Sequence, residues 1–273
     1  MKIVVFDLDE TLGYFSEFGI FWNSLSQYLK SKDTNTNTNT NTNTKVFTQE
    51  DFNNILDLYP EFLRPNIINI LTYLNTKKTS KCCDKMMIYT NNNGPREWCH
   101  NITGYFETKI GSKLFDQIIA AFKINGKQVE ICRTTHSKTH DDFIRCTKVP
   151  ENADICFLDD TFHPGMANER IYYINVKPYY HDIPFSEMVD RFIESETGKQ
   201  TVEPYDFKKN IMRYINSYNY RCITKTVQEN ELDEIVGKHI VTHLQKFFNS
   251  KPKRNKTEKK IKSKKKKTFK SRS

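Results

Sequence analysis

Apolar positions along this chain fall into short unbroken runs separated by stretches with helical spacing. "KIVVFDLD" at the start, "KMMIYT" (85–90) and "DICFL" (154–158) are β-branched or aromatic runs with little internal polarity, the pattern of strands buried on both faces. "FDQIIAAF" (115–122), a short run near "VEIC" (129–132) after the turn at Asn125-Gly126, and "RIYYINV" (170–176) predict further strands. Between them, Phe21, Leu25, Tyr28 and Leu29 share one side of a helix over 17–30. Thr48, with Asp51 three residues on, opens another helix that ends near Tyr59-Pro60. Ile67, Ile68, Ile70, Leu71 and Leu74 mark a third, with Pro65 in its first turn, and 138–147 a fourth. After residue 200, "DFKKNIMRYINSYNY" and "ELDEIVGKHIVTHLQKFF" are amphipathic, the latter with Ile235, Val236, Ile240, Val241 and Leu244 on its apolar side. Strands alternating with helices predict an α/β fold around a mainly parallel sheet, with the last two helices docked on it.

Charge changes this picture at one end only. The chain of 273 residues carries a formal +9, but residues 251–273 hold 13 lysines and arginines against one acid, Glu258. That tail carries +12 and leaves −3 for the other 250 residues. A segment so charged and so poor in apolar residues does not fold alone. It suits solubilisation, nuclear localisation or a salt-sensitive, non-specific grip on nucleic acid through residues 251–273. The dipeptide repeat "TNTNTNTNTNT" (34–44) offers nothing for a core and predicts a disordered insertion. The first apolar run, Ile3 to Phe6, is too short for a signal-peptide core or a membrane span. A soluble protein of the cytoplasm or nucleus, neither secreted nor in a membrane, is expected. The seven cysteines form no C-x-x-C pair and are expected to be reduced thiols, some buried. A zinc site from Cys82, Cys83, Cys99 and His100 lacks a recognised spacing.

The chemistry gathers just beyond the strands. Asp7, Asp9 and Thr11 follow the first, Thr90 and Asn91 the second, and Asp159 and Asp160 follow "DICFL"; Lys138 heads a helix before it. In open parallel sheets, ligands bind beyond the carboxyl ends of the strands, where strand order reverses. Four acids at one mouth repel one another unless a cation sits among them, and an all-oxygen donor set suits Mg²⁺. One aspartate beside a metal and a lysine can attack phosphorus, and the other can move protons.

"DLDET", an apolar strand ending in Thr90, the lone Lys138 and "LDD" (158–160) occur in the order of the four motifs of haloacid dehalogenase-like (HAD) phosphatases. The chain resembles that superfamily over roughly 1–12 and 63–195. "DLDETL" and the "LRP" that leads into a helix (63–65) are similar to the FCP-homology branch, which contains the RNA polymerase II C-terminal-domain phosphatases and their small relatives. The resemblance implies a Rossmann-like parallel sheet as the catalytic core over 1–12 and 63–195. It adds a small cap insertion over 13–62, beside a helical extension over 196–250. It implies Asp7 as nucleophile, forming an aspartyl-phosphate, and Asp9 as general acid and base with its backbone carbonyl on the metal. Thr90 and the Asn91 backbone would hold the phosphoryl oxygens, and Lys138 would neutralise the transferring group. Asp160 would ligate Mg²⁺ directly or through water, and Asp159 would orient Lys138 or complete the metal shell.

A Mg²⁺-dependent phosphomonoesterase is thus expected, acting on phosphoserine or phosphothreonine in a protein rather than on a small metabolite. A 3′-end nucleic-acid or nucleotide phosphatase and a catalytically silent binding module are the alternatives. Glu10, where many small-molecule members carry Gly, favours the protein substrate. The Asn run after Thr90, "NNNGPREW", departs from the polymerase-tail enzymes on the substrate side.

Overall fold

The computed structural model describes residues 1–35 and 47–250. All but the first two residues of the Asn-Thr repeat, and the whole basic tail, lie outside the described residues; Thr34 and Asn35 close a helix. In chain order the elements are β1 (Lys2–Phe6), α1 (Ser16–Asn35), α2 (Gln49–Leu56), α3 (Ile67–Thr79), β2 (Lys85–Tyr89), α4 (Arg96–Ile110) and β3 (Gln117–Ile119). A small hairpin of β4 (Lys123–Ile124) and β5 (Lys127–Gln128) follows, then α5 (His140–Thr147), β6 (Asp154–Asp159) and β7 (Ile171–Asn175). Four helices end the described chain: α6 (Phe185–Glu194), α7 (Glu196–Thr201), α8 (Pro204–Asn216) and α9 (Val227–Asn249).

The protein is α/β. Five strands form one parallel sheet in the order β3-β2-β1-β6-β7. Chain order therefore reverses direction between β1 and β6, the place where such sheets open a crevice. The unbroken apolar runs follow from burial on both faces. Val4, Phe6, Met86, Ile88, Cys156 and Leu158 point into the larger core, with α1, α3, α4, α6, α8 and α9 against it. Ile3, Val5, Met87, Tyr89, Ile155 and Phe157 face the other side, where Phe143 of α5 and Met166 cover them. Phe6 pairs with both Ile88 and Leu158, so the three central strands end level.

The third strand is only Gln117–Ile119, because the Ala120 carbonyl accepts from the Arg133 guanidinium instead of a neighbouring strand. The strand foreseen at "VEIC" falls earlier, at β5, and Ile131 is fully exposed in a turn. Pro65 precedes α3, whose N-cap is Asn66 in the left-handed region (φ 66°). Thr48 and Asp51 form the reciprocal capping box expected of them. Among the described residues no helix is long and apolar enough to cross a membrane.

Cys132 and Cys146 depart from the expectation of reduced thiols: they form a disulfide, with Cα atoms 5.0 Å apart. The last turn of α5 folds back over the loop that begins at Cys132, and Arg145 Nη1 donates to the Cys132 carbonyl at 3.3 Å. The other five cysteines are free.

Candidate active site

Each expected site residue sits where a strand or helix runs out. Asp7 is the residue after β1 and is held in line by its N–H, which donates to the Leu158 carbonyl at 2.9 Å. Asp159 closes β6, Thr90 follows β2, and Lys138 precedes Thr139, whose hydroxyl caps α5. Asp7, Asp9, Thr90, Asn91, Lys138, Asp159 and Asp160 all line one open cavity of about 370 Å³.

Lys138 is the centre of the arrangement. Its side chain is 2% exposed, and Nζ donates to Asp7 Oδ1 at 2.5 Å and to Asp159 Oδ2 at 2.6 Å. Burial works against an ammonium there, but the two carboxylates outweigh it and hold the lysine charged. The aspartates divide unequally. Burial would raise Asp159, but bonds from His163 and Lys138 prevail and hold it below the usual carboxylate range. Burial pushes Asp7 up to about 7 against the pull of Lys138, with Asp159 and Asp9 adding to the rise. Burial also raises Asp9, although Asn92 Nδ2 donates to its Oδ2 at 2.8 Å.

The two adjacent aspartates make different contacts. Asp159 spends both oxygens inside the protein, on Lys138 and on the Thr161 N–H at 2.9 Å. Asp160 is turned the other way, with Oδ1 accepting from Thr11 Oγ1 at 3.1 Å. Carboxylate oxygens of Asp7, Asp159 and Asp160 lie within 4.8 Å of one another, a hard, all-oxygen set of the kind that suits a cation such as Mg²⁺. The Asp9 side chain belongs to Asn92 instead. Among the described residues, Asp7 Oδ2 accepts no hydrogen bond and is left open to the cavity.

Two buried arginines hold the loops, and sequence reasoning identified neither as a site residue. Arg64, of the "LRP" segment, donates to the carbonyls of Thr11, Glu10 and Lys177 and packs on the Tyr179 ring. It supports the turn after β1, where Glu10 takes the left-handed conformation (φ 58°). Arg133 donates to the Thr90 carbonyl (3.0 Å), the Ala120 carbonyl (2.8 Å), Asn91 Oδ1 (2.8 Å) and the His136 carbonyl (2.9 Å). It joins the Thr90 loop to the Lys138 loop from below. Fully buried arginines are rare, but "ICRTTHSK" carries no pattern that marks this one.

The cysteine–histidine zinc quartet, which lacks a recognised spacing, is not assembled: Cys83 and Cys99 are buried, Cys82 is exposed, and none belongs to a potential metal group among the described residues. A scan against protein-family models and a search of curated proteins found no match to this chain.

Proposed function

We propose that this chain is a phosphomonoesterase of the HAD type, working through an aspartyl-phosphate on phosphorylated protein. The observation that carries this reading is the Lys138 ammonium buried between Asp7 and Asp159 at the switch point of a parallel sheet. A substrate phosphoryl group seated against Lys138 and Thr90 has the open Asp7 Oδ2 as its nearest nucleophile. Asp7 Oδ2 forms a bond to phosphorus as the bond to the leaving oxygen breaks, and Asp9 supplies the proton that oxygen takes up. In the second half, Asp9 takes a proton from water. That water oxygen attacks phosphorus, and Asp7 leaves as a carboxylate. The net change is hydrolysis of one phosphoester to an alcohol and inorganic phosphate.

Asp7, Asp160 and the Asp9 carbonyl are the groups that would hold Mg²⁺. When bound, the ion would screen the phosphoryl charge that Lys138 alone does not neutralise. Thr90 Oγ accepts from the Asn92 N–H at 2.9 Å, which aims the Asn run at the phosphate side of the cavity. The FCP-like resemblance favours phosphoserine and phosphothreonine, while the basic tail favours nucleic acid.

The experiment is turnover of an aryl phosphate by the full chain with Mg²⁺, comparing wild type with Asp7→Asn. We expect turnover in the wild type and a loss of at least about a thousandfold in the variant. Retained activity in Asp7→Asn removes the nucleophile assignment. Faster turnover of 3′-phosphorylated oligonucleotides than of phosphopeptides replaces the protein substrate with nucleic acid.

A further inference from the structure

A second cavity, also about 370 Å³, adjoins the first. Asp9, Ser16 and Asn92 line both, so the wall that separates them is the proposed proton donor and its neighbours. Beyond Asp9 the groove runs between α1 and the start of α4. Gly19, Ile20 and Trp98 line it, together with Asn23 and Asn101.

Three features define what fits. First, no lysine or arginine among the described residues lines this groove, whereas Glu97 and Asp9 do. A second phosphate or a nucleic-acid backbone would meet only negative charge there. Second, the Trp98 indole is half-buried and fixed by ring contacts to Phe18 at 5.8 Å and Phe52 at 5.6 Å. It is a rigid aromatic surface on which a flat ring gains stacking energy. Third, Gly19 lines the groove without a side chain and lets α1 approach the indole edge: a Cβ there would lie 3.5 Å from Trp98 Cζ2, in ordinary contact. The glycine is not demanded by backbone geometry or crowding. What its missing side chain leaves is bare groove lining beside the indole edge.

Because Asp9 forms the inner end of the groove, the first group to enter is the one bonded to the departing oxygen. We propose that this groove is the leaving-group subsite and that it selects an uncharged aromatic alcohol, the phenol side chain of a phosphotyrosine in a peptide. The inference rests on the phosphatase reading and narrows its substrate. A serine or threonine leaving group presents one or two carbons to the indole and leaves the groove empty.

The test compares kcat/KM of the full chain with Mg²⁺ on two peptides that differ only in carrying phosphotyrosine or phosphoserine. A nucleoside monophosphate and a 3′-phosphorylated oligonucleotide complete the panel. One stacked ring is worth about tenfold, so phosphotyrosine is expected to exceed phosphoserine by about that factor. Gly19→Leu, which fills the groove without touching the phosphoryl site, is expected to bring the ratio close to one through KM. Trp98→Ala does the same by removing the indole and serves if the leucine disturbs α1. Equal or faster turnover of phosphoserine, or a ratio unmoved in both variants, overturns the inference and leaves the phosphatase reading standing. A nucleoside monophosphate preferred over phosphotyrosine keeps an aromatic groove but overturns the protein substrate. No turnover of any ester sinks the phosphatase reading and this inference together.

Discussion

Two clusters of acidic groups in this molecule could each hold a cation, and they solve the same electrostatic problem differently. At the mouth of the sheet, Asp7, Asp159 and Asp160 converge around a buried ammonium. Between α1 and the segment before α6, Glu17, Asp182 and Cys222 converge with no lysine or arginine bonded to them among the described residues. There the carboxyl of Glu17, wholly buried, is pushed up to about 8, first by burial and then by Asp182. Asp182 Oδ2 is buried and receives nothing from any other N–H or O–H group. A proton held on Glu17 is the donor that Asp182 lacks. One cluster is balanced by a fixed cation, and on the proposed reading it is the one that takes a metal and a phosphoryl group. In the other, burial and Asp182 favour a proton on Glu17, which would join the two carboxyls as a clasp. Carboxylates placed together do not define a site; what balances them does.

The sharpest way to break this contrast is to remove the fixed cation. Lys138→Met keeps the length and apolar stem but leaves Asp7 and Asp159 facing each other in a buried place. Removing one partner of a buried ion pair costs about 3–5 kcal/mol, and we expect urea denaturation at pH 8 to show a loss of that order. Unchanged stability would mean the aspartates do not depend on the lysine, and the mouth would be no different from the Glu17 cluster.

Arg133 asks whether charge balance alone keeps the mouth in shape. Arg133→Met retains packing under the Tyr89 ring, 4.8 Å from the guanidinium, but strands the carbonyls of Thr90 and Ala120. A buried acceptor left unpaired costs about 1–3 kcal/mol, so stability is expected to fall by about 3 kcal/mol. Phosphate affinity should weaken as the Thr90 and Lys138 loops lose their common tie. A stable variant with normal phosphate affinity would return the organising role to Lys138 alone.

The two clusters were unequally legible in the sequence. Asp7, Asp9, Thr90, Asp159 and Asp160 end or adjoin apolar runs, so strand periodicity alone brings them to one edge of a parallel sheet. Lys138 stood out from Lys123, Lys127 and Lys148 by its place at a helix start, and it alone of these is buried. Glu17 and Asp182 lie 165 positions apart on elements whose packing no local pattern encodes. The same holds for Arg133, whose acceptors are all backbone or amide oxygens, and for the Cys132–Cys146 bridge, which depends on how α5 folds back. Three helices were also not foreseen, α4, α6 and the six-residue α7. In α4 the buried stripe Cys99, Ile102, Thr103, Phe106 is diluted by a polar surround that begins with the Asn run. In α6 the stripe is Met188, Val189 and Phe192, too short to stand out against the charged residues between them. Local periodicity reads the strands and the residues at their ends; it does not read which distant loops are tied together beneath them.

A pH dependence sharpens the comparison from the other side. Glu17 Oε2 accepts from the Ile183 N–H at 2.9 Å, and Cys222 Sγ and Asp182 are its other polar neighbours, with Tyr220 donating to Asp182 at 3.1 Å and bonded in turn to Tyr14. His181 and Lys225 lie near Asp182. An unfolded chain releases the Glu17 proton near its ordinary pKa of 4.5, while the folded chain keeps it until about 8. Between those values the folded state binds the extra proton, so the stabilisation is complete below pH 4.5 and is lost as pH rises towards 8. Glu17→Gln reproduces the protonated form: its amide oxygen accepts from Ile183 and its N–H group donates to Asp182. Wild type and variant should therefore melt together near pH 5. At pH 8 the variant should melt higher, by roughly 2–4 °C for each kcal/mol the clasp has lost. Burial also raises Asp7 and Glu10, which add a slope of the same sign to both proteins. A wild-type slope no steeper than the variant's would therefore mean that no proton is shared between Glu17 and Asp182. The two clusters would then differ in position and not in kind.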